Sequence, residues 1–104
     1  IKTIPGLTIL SLDFTNSSKI SDDGIAAFFK SIKVLESLTT LEISFAGCSE
    51  ISGFGFNKLR EGLRVILSLK TLKLNLKDCI QLEDSSIELL KKELNRLQDI
   101  SIVY

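Results

Sequence analysis

Acid–base or nucleophilic chemistry on this chain of 104 residues would fall to carboxylates and thiols, because the sequence contains no histidine and only two cysteines. The carboxylates best placed for a joint role are Asp13 and Glu42, the thiols are Cys48 and Cys79, and Gly53-Phe54-Gly55 is the one glycine-rich stretch. Without histidine, a serine or cysteine nucleophile lacks the imidazole base that ordinarily activates it. A zinc site takes about four nitrogen or sulfur ligands, and two thiols do not supply them. Gly53-Phe54-Gly55 has neither the lysine spacing of a phosphate loop nor a complete dinucleotide fingerprint, so it reads as a turn leading into a helix. No metal and no cofactor is expected.

The spacing of these residues says more than their chemistry. Thirty-one positions separate Cys48 from Cys79 (79 − 48) and Glu42 from Lys73 (73 − 42). The same interval separates Leu10, Leu41 and Leu72, and Ile100 follows after 28 (100 − 72). Aligned on these positions the chain reads Leu7-x-x-Leu10-x-Leu12-x-Phe14, Leu38-x-x-Leu41-x-Ile43-x-Phe45, Leu69-x-x-Leu72-x-Leu74-x-Leu76 and Leu97-x-x-Ile100-x-Ile102-x-Tyr104. Alternation with period two is the pattern of a strand with one buried face, and self-similarity at this period is the mark of a solenoid.

After each strand the period changes. Ile25, Phe28, Ile32 and Leu35 recur at helical spacing, as do Phe56, Leu59, Leu63 and Ile66, and then Ile87, Leu90 and Leu94. Ser21-Asp22-Asp23 and Asp84-Ser85-Ser86 supply N-cap oxygens, so helices are predicted at about 23–36, 54–67 and 85–96. Gly62, inside the second, costs about 1 kcal/mol relative to alanine. The third row is three residues shorter near its helix end. Ser17, Cys48 and Cys79 link strand to turn, and Ile20, Ile51 and Leu82 plug the corner. The cysteines are expected as buried packing thiols, with a disulfide between them the alternative.

The L-x-x-L-x-L strand, a cysteine at the turn and one helix in each row of 28–31 residues resemble leucine-rich repeats over essentially the whole chain. Row length and the full helix resemble the ribonuclease-inhibitor-like type. Cys48-Ser49-Glu50-Ile51-Ser52-Gly53-Phe54-Gly55-Phe56 and Ile20-Ser21-Asp22-Asp23-Gly24-Ile25 look like the cysteine-containing type of ubiquitin-ligase adaptors. The resemblance implies an α/β fold, a right-handed horseshoe segment of a leucine-rich-repeat solenoid with parallel strands on the concave side and helices on the convex side. Elementary packing agrees, since strands stack about 4.8 Å apart and helices about 8–10 Å apart, which bends the array toward its strands. One domain is expected over 1–104, with repeats at about 7–37, 38–68 and 69–96, a final strand 97–104, and residues 1–6 as the tail of a preceding repeat. Ile1, Ile4 and Leu7 match Ile32, Leu35 and Leu38, so further repeats or another subunit are expected to cover one or both ends.

Alternation turns Ser11, Asp13, Glu42, Ser44, Lys73, Asn75, Ser101 and Val103 onto the concave face, flanked by Thr40, Thr71 and Lys77. Such faces typically take partners. Glu42 and Lys73 should pair across neighbouring strands, and Asp13 and Glu42 form a diagonal about 7–8 Å apart by sheet geometry. That spacing overlaps an inverting glycosidase's carboxylates. An open sheet, however, offers no apolar pocket to raise one pKa, so an enzyme is not expected. The outer helix faces carry Lys30, Lys33, Lys58, Glu61, Arg64, Glu88, Lys92, Glu93 and Arg96, which read as a solvated surface. Phe29 and Phe54 lie off the apolar stripe as contact points for a covering partner, although Phe29 could equally widen the stripe.

Thirteen basic and thirteen acidic residues balance to zero, which gives a nucleic-acid or anionic-membrane partner no general support. No apolar run approaches the ~18 residues of a membrane span. These features describe a non-catalytic protein–protein interaction module or scaffold, cytoplasmic, a subunit of a larger protein or complex, with protein partners on the concave face and at uncapped ends. The alternative implied by the resemblance is the substrate-recognition repeats of a ubiquitin-ligase adaptor or of a nucleotide-dependent sensor.

Overall fold

The computed structural model describes residues 6–79 and 82–104; Ile1 and Ile4, matched above to a preceding repeat, lie outside them. Strands β1 (Ile9–Asp13), β2 (Thr40–Ser44), β3 (Thr71–Asn75) and β4 (Asp99–Val103) alternate with helices α1 (Asp22–Ile32), α2 (Gly53–Arg64) and α3 (Asp84–Glu93). The four strands form one parallel sheet in the order β1-β2-β3-β4. The fold is therefore α/β.

The apolar alternation decides the register, because a slip by one residue would turn every leucine outward. Leu10 faces Leu41, Leu41 faces Leu72 and Leu72 faces Ile100, the alignment that the sequence spacing gives. On the central strands Leu41, Ile43, Leu72 and Leu74 are buried, continued by Phe45 and Leu76. On β1 and β4 the equivalent Leu10, Leu12, Ile100 and Ile102 are only partly buried, since each edge strand is covered on one side.

The helices start where their caps stand. Ser21 accepts from the Gly24 N–H at 3.4 Å and Ser52 from the Phe54 N–H at 3.2 Å. The third helix corrects the sequence expectation: its N-cap is Glu83, without a side-chain cap bond, and Asp84 already lies inside the helix. Gly53-Phe54-Gly55 is likewise the first turn of α2 and not a separate turn. All three helices stop about three residues early. Tight i→i−3 bonds, Leu35 N–H to Ile32 O (2.9 Å) and Leu69 N–H to Ile66 O (3.1 Å), wind the chain back toward the sheet. Leu35 and Ile66 keep the helical spacing and stay buried, but they belong to these turns.

Helices and strands share a single core. Phe29 is 3% exposed and belongs to it, so the wider-stripe reading holds and the free contact point does not; Phe54 is 57% exposed. Phe29 fits because of Gly62. A Cβ on Gly62 would overlap the Phe29 ring at Cγ, so the glycine that weakens α2 locally is what admits the aromatic ring between α1 and α2. Phe14 stacks on Phe45 (5.7 Å between centroids) and meets Phe28 edge-on (6.4 Å), covering the β1 side of the core.

Candidate functional site: the open face of the sheet

The helices pack on one face of the sheet, and the polar alternates occupy the other. Ser11, Asp13, Glu42, Ser44, Lys73, Asn75 and Ser101 line one shallow concavity of about 260 Å³. Seven of the eleven residues placed on or beside this face from the sequence therefore come together, and Val103 and Lys77 do not line the concavity. Thr40 and Thr71 do not line it; they stand half-buried at the strands' N-terminal ends.

The register sorts these residues into two rows. The first is Ser11, Glu42, Lys73 and Ser101, consecutive partners across the sheet. Glu42 and Lys73 are adjacent as expected, yet the ion pairs among the described residues are Lys58–Glu61, Arg60–Glu93 and Arg64–Glu93. The expected Glu42–Lys73 bridge is not formed. In water such a pair gains too little to hold two flexible side chains in one geometry. Among the described residues, no side chain of this row makes a hydrogen bond or ion pair.

The second row, Asp13, Ser44 and Asn75, is committed to the fold. Asp13 accepts from the Thr15 N–H at 2.9 Å, Ser44 from the Ala46 N–H at 3.3 Å and Asn75 from the Lys77 N–H at 3.0 Å. Each bond bends the chain two residues after the strand end, as short polar side chains do in turns. Thr15 joins two rungs, donating its hydroxyl to Asp13 at 2.5 Å and accepting from Ser44 at 2.9 Å. Further along the turns, Asn16 (φ 61°), Gly47 (φ 70°) and Asp78 (φ 56°) are left-handed. Their 31-residue spacing (47 − 16, 78 − 47) and residue types, all tolerant of positive φ, were a legible signal in the sequence. Neither this ladder nor Thr15 emerges from hydrophobic alignment alone.

Electrostatics weighs against acid catalysis on this face. The two Thr15 hydrogen bonds hold the Asp13 carboxyl below the usual carboxylate range, whereas a general acid at neutral pH needs its pKa raised. Asp22 is shifted in the same direction by Ser52, whose hydroxyl and N–H it accepts at 2.5 and 2.8 Å. That bond ties the first turn of α1 to the N-cap of α2.

Both thiols pack against the core. Both cysteines are free, so the disulfide alternative does not hold. Cys48 is fully buried and donates its S–H to Phe14 O at 3.0 Å; burial pushes its pKa up. Cys79 is half-buried, and burial pushes it up to about 11. Thiols held protonated are poor nucleophiles and metal ligands. Among the described residues no group of three or more His, Cys, Asp or Glu side chains is gathered for a metal ion, and no helix is long and apolar enough to cross a membrane. Comparison of the chain with protein-family models, with curated proteins and with solved structures finds no match.

Proposed function

We propose that this chain is a segment of a leucine-rich-repeat solenoid that acts as a non-catalytic binding module, offering the open face of its sheet to a protein partner within a larger assembly. The observation that carries the reading is the Ser11–Glu42–Lys73–Ser101 row: four polar side chains in register across an exposed face, each with its hydrogen-bonding capacity unspent. Asp13, Ser44 and Asn75 are occupied by turns, which narrows the partner-facing set to this row together with the exposed Val103 and Lys77. The equal spacing of strand leucines, turn locks and left-handed turn residues supports the repeat architecture. Its charge is mixed, so the row favours a partner matched by shape and hydrogen bonds over one drawn in by long-range steering.

The test is affinity capture on the folded chain followed by quantitative mass spectrometry, comparing wild type with Glu42→Arg/Lys73→Glu and with Lys92→Glu on the outer helix surface. A captured protein that is lost with the double substitution and retained with Lys92→Glu supports the reading. Capture indifferent to Glu42 and Lys73, with circular dichroism unchanged, refutes it.

A further inference from the structure

Two shallow depressions of about 250 and 230 Å³ adjoin at Lys33 and Val65, the first over the seam between α1 and α2 and the second between the turns that follow these helices; together they are called the α1–α2 groove. Phe29, Gly62, Val65 and Leu67 supply apolar lining, while Lys30 and Lys33 stand along the rim. Val65 is 55% and Leu67 80% exposed, and adjoining apolar exposure of this kind is a feature of contact sites more than of inert surface. The rim charge is unevenly spent. Glu61 is held by Lys58 at 3.7 Å, and Lys58 also lies over the Phe54 ring at 5.2 Å. Among the described residues Lys30 and Lys33 form no ion pair.

The seam between α2 and α3 is different at the corresponding place. Arg96, in the turn after α3 and just before Leu97, donates its guanidinium to Leu63 O at 3.1 Å and Ile66 O at 2.9 Å. Arg60 and Arg64 both reach Glu93. There the protein fills the seam with its own charged side chains. Between α1 and α2 it leaves apolar floor and free cations.

We propose that the α1–α2 groove is a docking surface for an acidic peptide segment that carries an aliphatic side chain. Its carboxylates lie over Lys30 and Lys33, and its aliphatic group covers Val65 and Leu67. Glu36, lining the Leu67 end, repels a second acidic group there and so orients the peptide. A strip of apolar side chains beside two cations, unpaired among the described residues, matches a short peptide that carries both kinds of group. This surface is separate from the open sheet face and does not depend on it.

The experiment selects a displayed random library of short peptides against the full chain, with circular dichroism confirming that each variant is folded. Enriched peptides should combine Asp or Glu with Leu, Ile or Val. Their affinity should fall roughly tenfold with Lys30→Glu/Lys33→Glu and with Val65→Ser/Leu67→Ser, weaken with salt, and remain unchanged with Glu42→Arg. Loss with Glu42→Arg alone would assign the peptides to the sheet face and overturn the proposal. It is equally overturned by no enrichment, by peptides without acidic residues, by binding that survives both groove variants, or by phosphatidylserine vesicles being retained in place of any peptide.

Discussion

The two helix seams of this protein solve one problem in opposite ways. Between α1 and α2 an aromatic ring, Phe29, sits on a residue without a side chain, Gly62, and the contact is purely steric. Between α2 and α3 the equivalent positions are Arg60 (29 + 31) and Glu93 (62 + 31), 3.1 Å apart, with Arg64 reaching the same carboxylate at 3.4 Å. Ring-on-glycine becomes guanidinium-on-carboxylate at the same places in the two rows. The first arrangement gains from excluding water and tolerates no added volume. In the second, the Arg60 and Glu93 side chains remain 29% and 20% exposed while the paired atoms Arg60 Nε and Glu93 Oε1 are dry, so desolvation offsets much of the attraction and the net gain is small. The steric seam should therefore dominate stability and the ionic seam should confer sensitivity to salt.

The strongest way to break this comparison is Phe29→Ala, which should cost about 3–5 kcal/mol by leaving a cavity at the seam, measured by denaturant unfolding. A cost below about 1 kcal/mol would mean that the ring contributes no more than an average surface residue. Gly62→Ala should cost about 1–3 kcal/mol through overpacking. Because its Cβ would meet Phe29 itself, the two substitutions together should cost less than the sum of the singles. Additive effects would place the clash elsewhere.

Glu93→Gln should cost about 1 kcal/mol or less, and that cost should shrink as ionic strength rises, unlike the costs at the first seam. An equal salt response at both seams would erase the distinction. The smallest effect is alkaline. The Cys79 thiol follows β3, and its pKa in the folded protein is about 11 against an ordinary 9.0. The folded state keeps this proton while the unfolded chain releases it, so the contribution is complete below about pH 9 and is lost as pH rises through about 11. Cys79→Ser should flatten the fall in thermal stability across that window.

The strand register and the buried leucines were legible from the sequence because each rests on a local period, two for strands and about 3.6 for helices, repeated at 31-residue spacing. The left-handed ladder Asn16, Gly47 and Asp78 lies outside that hydrophobic pattern and emerges only with the backbone angles, although its 31-residue spacing in residue types tolerant of positive φ is a signal the sequence carries. Helix ends were less so: Leu35 and Ile66 prolong the helical spacing into turns whose bonds close on nearby carbonyls. The candidate site was legible as a face but not as two rows, because hydrogen bonds from Asp13, Ser44 and Asn75 to the turns compete with their availability to a partner.

Sequence by itself determined what repeats: strand spacing, the inward leucines, the helical stripes and the polar face opposite them. Tertiary structure alone decided what differs between the rows. Phe29 finds Gly62 across 33 residues (62 − 29), Arg60 finds Glu93 across another 33 (93 − 60), and Arg96 reaches the carbonyl of Ile66 across 30 (96 − 66). No local period encodes such pairings. They exist because the fold sets successive helices side by side, where an absent Cβ makes room for a ring and a guanidinium finds a carboxylate or a carbonyl within reach.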